Sequence, residues 1–155
     1  APGHMRPEEE NRLKQLMADN IPDYYADMIS STSDTFVQMI YTARLPSYHV
    51  GRMCLIGDAG MVAQPFTGSG VFKGYNNVVG LIEEFESKDS LDEALQAWDR
   101  KQVALGNRLL ALGEQMEKAF IFDSLDLATA DEEATRLWWK NAVTFPEDFN
   151  YSDEG

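Results

Sequence analysis

The sequence predicts an α+β fold that is mostly helical, with few strands and one long helix. Apolar residues repeat every seven positions between residues 91 and 119, as in a long packed helix. They recur at helical spacing between residues 71 and 85 as well. Only two short segments, residues 35–45 and 53–56, have the character of strands.

Residues 6–50 are expected to begin with two helices. Pro7 and the acidic run after it favour a helix start, because proline suits the first turn and carboxylates suit its positive end. Asn20 ends that helix, and Pro22 begins a second one that runs to about residue 30. Residues 35–45 then alternate between apolar and polar, which predicts a half-buried strand.

The central segment combines a strand, a turn and a helix start. Residues 53–56 are apolar without alternation, which predicts a strand covered on both faces. Asp58 follows at its C-terminal end, where ligands of open α/β sheets bind. The glycine turn 68–70 opens a helix to about residue 86, whose free N–H groups suit an anionic or electron-rich ligand atom. The face predicted to be buried consists of Val71, Tyr75, Val78, Ile82 and Phe85.

Residues 87–145 form a predicted C-terminal helical region. Ser90 and Glu93 make a capping box, and the helix that follows runs to about residue 120, ~45 Å at ~1.5 Å per residue. The apolar face of a helix of that length, its seam, must be buried against another helix or another subunit. Its two rows are Leu91, Trp98, Leu105, Leu112 and Ala119, and Leu95, Gln102, Leu109 and Met116. A last helix starts at residues 131–133, and residues 146–155 are expected to be a flexible tail.

Composition restricts the partners of the chain. Its net charge is −13, with 26 acidic and 13 basic side chains, so it would repel nucleic acid. No apolar run reaches ~18 residues, so we expect no membrane span. Cys54 is the single cysteine, which excludes an intramolecular disulfide and indicates an inert core thiol. We expect a cytoplasmic protein without a signal peptide, in which residues 1–5 are an expression scar.

The pair Gly57-Asp58, followed by Pro65 and a glycine-rich helix start, resembles the Gly-Asp segment of class A flavoprotein aromatic hydroxylases, which share the para-hydroxybenzoate hydroxylase-like fold. The string Pro65-Phe66-Thr67-x-x-Gly70-x-x-Lys73 is most similar to the 2,6-dihydroxypyridine 3-hydroxylase branch. The likeness extends over roughly residues 35–120. It implies that the chain is the C-terminal part of a monooxygenase that hydroxylates an aromatic or N-heteroaromatic small molecule, using FAD and NAD(P)H.

The resemblance also implies roles for individual residues. Asp58 would bond the ribityl chain of FAD, Pro65 would lie beside the isoalloxazine ring and the substrate, and the backbone of residues 67–71 would face the flavin pyrimidine edge. The implied cofactor-binding residues are Gly57, Asp58, Pro65, Thr67, Gly68, Ser69, Gly70 and Val71. Residues 6–50 would be the end of the substrate-domain region, and residues 51–86 would be the strand, loop and helix that contact FAD.

Two departures from the family pattern limit what the chain could do alone. The Gly-x-Gly-x-x-Gly turn that holds the FAD pyrophosphate in these enzymes is absent from the sequence. Gly60-Met61 also stands where many relatives have a histidine or another polar residue. We therefore expect weak or no FAD binding by this chain alone, no activity without a dinucleotide-binding region, and either an N-terminal partner chain or self-association.

Each candidate residue has a structural alternative. Asp58 could be a turn or helix-cap residue, and residues 65–70 could be an ordinary loop. Lys73 could offset an unfavourable position near a helix start or lie in solvent, and His49 could be a substrate-side acid or base or purely structural. No catalytic residue is assigned, and the sequence shows no metal-ligand cluster. The rival hypothesis for the whole chain is a non-enzymatic, acidic helical interaction or scaffold module.

Overall fold

The computed structural model describes residues 3–33 and 35–144, which fall into two compact units divided after residue 40. The first unit confirms the two predicted helices, and its first strand lies within the predicted scar. The strands β1 and β2 pair in antiparallel register. Its elements are β1 (Gly3–His4), α1 (Pro7–Asn20), α2 (Asp23–Ser30) and β2 (Phe36–Val37).

The second unit is dominated by helices, which confirms the predicted fold class. Its strands form two antiparallel pairs, β3 with β6 and β4 with β5. Short 3-10 turns occupy Gly57–Ala59 and Pro65–Thr67. The strands are β3 (Ala43–Arg44), β4 (His49–Val50), β5 (Met53–Cys54) and β6 (Met61–Val62), and the helices are α3 (Gly70–Ser87), α4 (Leu91–Glu117) and α5 (Glu132–Val143).

The predicted strands are shorter and differently paired than the sequence suggested. The alternating segment 35–45 divides into β2 and β3, which pair with different strands. The apolar segment 53–56 keeps strand structure only in β5, which forms a hairpin with β4 around Gly51 at φ +58°. Met53 is 71% exposed, so the prediction of a strand covered on both faces is wrong. Within the described residues β5 pairs with β4 alone.

The long helix α4 buries most of its predicted seam against its own chain. Helix α3 and the turn that starts at Pro65 both contact it. Leu91 is the outer exception at 40% exposure, and the α-helix ends at Glu117 in a π-helical turn, Lys118–Phe122. The seam residues that are buried are Leu95, Trp98, Gln102, Leu105, Leu109 and Leu112. Because most of the seam is covered within the chain, this part of it does not require a scaffold partner.

Tyr48 and Met61 fill the core from the strand side. The Tyr48 ring packs edge-on against Trp98, with ring centroids 6.5 Å apart. The hydroxyl end of Tyr48 lies so close to Gly106 that a side chain there would clash with it. The Tyr48 N–H donates to Asp99 Oδ1 at 2.5 Å, and this hydrogen bond holds the residue before β4 against α4. Burial raises the pKa of the Tyr48 hydroxyl, with the nearby Asp99 carboxylate acting in the same direction.

Helix α3 packs with the face opposite to the one predicted. The polar residues Lys73, Asn77 and Glu84 are each at most 4% exposed. Gly80 lies between them, and a Cβ there would come within 2.8 Å of the Gln102 amide nitrogen, so its absence lets the helices approach. The predicted core face is instead exposed, and we call it the apolar stripe of α3: Val71 84%, Tyr75 64%, Val78 45%, Ile82 51% and Phe85 45%.

The reversal has a physical explanation in the polar partners that the inner face meets. Asn77 Nδ2 donates to Gln102 Oε1 at 2.8 Å, and Glu84 pairs with Lys101 at 2.9 Å. Buried polar groups that are paired in this way avoid most of the cost of leaving water. The apolar stripe therefore remains available to another surface.

Helix α5 ends the described part of the chain beside α4. Asp131 caps it by accepting from the Ala134 N–H at 2.7 Å. Its two tryptophans pack with Phe120 at centroid distances of 5.3 and 5.9 Å. Across the described ranges, no helix combines the length and apolar character needed to cross a bilayer. The predicted tail, residues 146–155, lies outside the described residues.

Candidate functional site

The turn that carries Asp58 is held from beneath by buried polar side chains. Gly57 takes φ +61°, a conformation that glycine adopts without strain. Its N–H donates to Asn77 Oδ1 at 2.8 Å. Asn77 in turn bonds Gln102, and its carbonyl accepts from Trp98 Nε1 at 2.7 Å. The backbone of the turn is therefore fixed to α3 and, through Asn77, to α4.

Asp58 and Lys73 form the ion pair at the centre of the site. The Asp58 side chain is 79% exposed, whereas that of Lys73 is 4% exposed. Lys73 Nζ lies 2.7 Å from Asp58 Oδ1 and also donates to the Met61 carbonyl at 2.5 Å. The carboxylate is thus held from the protein side while most of its surface faces solvent. A carboxylate so placed can accept a hydrogen bond from a ligand hydroxyl.

The loop before α3 folds around two hydroxyl groups. Pro65 starts its 3-10 turn, and Gly68 closes that turn at φ +62°. The Thr67 and Ser69 hydroxyls lie 2.6 Å apart, and Ser69 is buried. Helix α3 then begins at Gly70, where the first N–H groups of any α-helix have no partner within the helix. Gly68, Gly70 and Val71 are exposed on the surface of this loop.

Gln64 anchors the same loop to the far end of α4. Its side chain is 4% exposed, and its amide nitrogen lies 3.4 Å from Glu117 Oε2. Gly113 lies directly against it, and a Cβ at that position would clash with the Gln64 amide. Both edges of the site, the turn at Gly57 and the loop at Pro65, are consequently tied to α4.

The remaining candidates lie apart from this hydrogen-bond network. His49 is half-buried in β4, and its Nδ1 atom is enclosed without a hydrogen-bond partner among the described residues. Burial raises the pKa of the Cys54 thiol, which agrees with the predicted inert cysteine. Neither side chain receives a catalytic role from these contacts.

Sequence reasoning missed the polar residues that support the site. For Lys73 the sequence leaves open a compensating role near the helix start or a place in solvent. It predicts Gln102 as part of the helical seam and indicates no role for Gln64 or Asn77. One signal was present, since Lys73 and Asn77 are four residues apart and share a helix face opposite the apolar stripe. Periodicity alone ranks a polar face as the solvent side, so it could not identify these residues.

Comparison with known proteins supports the resemblance given by the sequence. The chain is 29% identical over 86 residues to 2,6-dihydroxypyridine 3-monooxygenase of Paenarthrobacter nicotinovorans, a match that covers 56% of this chain and 22% of that protein. No family model matches the sequence. The chain thus spans much less than half of the curated relative.

Solved structures agree on the fold. The 2,6-dihydroxypyridine-3-hydroxylase of Arthrobacter nicotinovorans superposes with a TM-score of 0.71 at 21% identity, over 96% of this chain and 35% of that one. A probable FAD-dependent monooxygenase of Pseudomonas aeruginosa gives 0.53 at 18% identity, over 68% and 31%. The tetracycline destructase Tet(51) gives 0.55 at 18% identity, over 95% and 40%. This chain is therefore similar in sequence to part of 2,6-dihydroxypyridine 3-monooxygenase, and it shares its fold with part of each of these solved structures.

Proposed function

We propose that this chain supplies the ribityl and isoalloxazine contacts of a FAD- and NAD(P)H-dependent monooxygenase that hydroxylates an aromatic or N-heteroaromatic ring. The observation that carries the proposal is the Asp58 carboxylate, exposed to solvent yet held at 2.7 Å by the buried Lys73. An exposed acidic side chain that serves only a turn does not require a buried cation beneath it.

The residues present suit a flavin in chemical type. A ribityl chain offers hydroxyl donors, which an exposed carboxylate accepts. The exposed start of α3 offers backbone N–H donors, which suit the electron-rich oxygen and nitrogen atoms of a flavin ring. FAD would supply the redox and oxygen chemistry of hydroxylation. The chain itself would bind, orient and desolvate the ribityl and ring portions.

The proposed partner is a dinucleotide-binding region seated on the apolar stripe of α3. The best-superposing structure described above is about three times as long as the matched segment, which covers 35% of it. The stripe exposes large apolar side chains along one side of an 18-residue helix. Contiguous apolar patches of this kind mark surfaces that bind other protein surfaces.

Residue-resolved NMR titration of the 155-residue chain tests the proposal. Riboflavin and lumiflavin, which has the same ring without the ribityl chain, serve as the probes, each added up to its solubility limit in water. Riboflavin should shift the amide signals of Asp58 and of residues 68–71. Asp58→Ala removes the acceptor and should weaken riboflavin binding by about 1–3 kcal/mol while leaving lumiflavin unaffected.

Asp126→Ala is the matched control, because Asp126 is exposed, lies in the segment after the π-helical turn, and is bonded only locally in the contacts described for it. It should leave both affinities unchanged. Equal affinities for riboflavin and lumiflavin in the unmodified chain, or shifts confined to other segments, would refute the ribityl contact. Circular dichroism confirms that each variant retains its helices.

A further inference from the structure

We propose that Lys73 is the positioning residue of Asp58, holding its carboxylate in the one orientation that a ligand hydroxyl can use. The inference deepens the proposed function and rests on it. Lys73 itself is too deeply buried to meet a ligand, at 4% exposure, so it would act only through the aspartate.

The cost of placing Lys73 where it is indicates a specific role. It occupies the first turns of α3, and its backbone N–H already bonds the Ser69 carbonyl. A cation is electrostatically unfavourable there, because the start of a helix carries positive partial charge. Burying an ammonium group adds a desolvation cost that only paired oxygen atoms offset.

The contacts of Lys73 leave its ammonium group little freedom to move. The Met61 carbonyl accepts from it at 2.5 Å and Asp58 Oδ1 lies at 2.7 Å, so the group is fixed between β6 and the turn. Asn77, one helical turn further along α3, fixes the backbone of the same turn at Gly57. If Asp58 turned to another side-chain rotamer, it would lose the bond to Lys73. The exposed carboxylate is therefore ordered from below.

The first measurement is independent of flavin. Side-chain NMR couplings of Asp58 report whether its χ1 angle occupies one rotamer or averages over several. We expect a single rotamer in the unmodified chain and averaging in Lys73→Met, which keeps most of the buried volume. Lys88→Met is the matched control, since Lys88 also lies next to α3 but pairs with Glu84 instead. A rotamer that stays fixed in Lys73→Met overturns the inference.

The second measurement is a double-mutant cycle on the ratio of riboflavin to lumiflavin affinity. In Asp58→Ala this ratio should fall to about one, because the ribityl chain then adds no affinity. In Lys73→Met the ratio should fall by about threefold to tenfold. Adding Lys73→Met to Asp58→Ala should change nothing further, because the lysine acts only through the carboxylate. A purely structural lysine would instead lower both flavin affinities in both backgrounds.

The outcomes separate the two proposals. If Asp58→Ala leaves the ratio intact, the ribityl contact is wrong even where Lys73 orders the carboxylate. If Asp58→Ala abolishes the ratio and Lys73→Met leaves it unchanged, the ribityl contact holds and the positioning role is wrong. Should Lys73→Met lose its helical circular dichroism, Lys73→Leu replaces it with the same expected outcomes, because it also removes both the charge and the hydrogen-bond donors.

Discussion

Lys73 lies almost wholly buried beneath Asp58, whose side chain is 79% exposed, and the two are joined by a 2.7 Å contact. The two partners therefore depend on each other unequally. Asp58 can be hydrated without Lys73, whereas Lys73 has a buried charge to pair. Removing one partner of an ion pair is costly when the charge left behind is buried.

This asymmetry predicts that substitutions of Asp58 and Lys73 lower the free energy of unfolding by different amounts. Asp58→Ala should lower the free energy of unfolding by about 1–3 kcal/mol, because it strands the buried ammonium. Lys73→Met, which removes the charge and fills the space, should cost less than Asp58→Ala. Chemical unfolding of the chain at neutral pH measures both values. A larger loss for Lys73→Met would contradict the asymmetry.

Gly68 and Gly70 should respond differently to a side chain. Gly68 sits at φ +62°, where a non-glycine residue is strained, so Gly68→Ala should destabilise the fold by about 1 kcal/mol. Gly70 has no such angle, and a Cβ there meets nothing within 4 Å. The free energy of unfolding of Gly70→Val should therefore lie within about 0.5 kcal/mol of that of the unmodified chain, as is usual for surface substitutions.

The same Gly70→Val change should nevertheless weaken flavin binding, because its new side chain would project into the space proposed for the ring. NMR titration with lumiflavin measures this without any ribityl contribution. Lumiflavin affinity that is unchanged in Gly70→Val would place the flavin ring elsewhere on the surface.

Glu84 should make part of the stability depend on pH. The hydrogen bond from Lys101, at 2.9 Å, is the main cause that holds the pKa of Glu84 below its ordinary value of 4.5. A carboxyl whose pKa is lowered by folding stabilises the folded state above its unfolded pKa and loses that effect as pH falls through the folded one. Glu84→Gln should therefore be less stable than the unmodified chain at pH 7, and the difference should shrink below pH 4.5. Thermal unfolding across this range measures it, and a constant difference would refute the assignment.

The sequence predicted what local chemistry determines. Pro7, Ser90 and Asp131 mark helix starts through capping and first-turn preferences, and the structure begins helices at or next to each of them. The recurring apolar positions of α4 likewise identified its buried side. The site residues themselves stay a prediction, which the sequence offers because the Gly57-Asp58 turn and the loop from Pro65 are short, contiguous strings.

The sequence misjudged what depends on neighbouring surfaces. The apolar strand at residue 53, which does not alternate, and the apolar helix face at Val78 both predict buried surfaces. Within the described residues, both surfaces are exposed. Polar residues such as Asn77 turn inward because a partner on α4 satisfies them, which no periodicity can show. The errors at the strand and the helix both concern surfaces for which the described chain supplies no cover.

The apolar stripe of α3 leads to a last prediction, that the chain self-associates in solution. Val78 and Ile82, at its centre, are 45% and 51% exposed, and burying such side chains is favourable by roughly 25 cal/mol per Å². Sedimentation velocity should show a mass that rises with protein concentration. Val78→Glu and Ile82→Glu should each shift that rise to higher concentration, while helical circular dichroism stays unchanged.

Leu137→Glu is the matched control, because Leu137 is an apolar residue on α5 that is 56% exposed but lies outside the stripe. It should leave the self-association unaltered, since the introduced charge is on a different helix. A mass that stays monomeric at every concentration would show that the stripe does not bind a second copy. Equal weakening by Leu137→Glu and the two stripe variants would mean that general repulsion between acidic chains, rather than this face of α3, controls association.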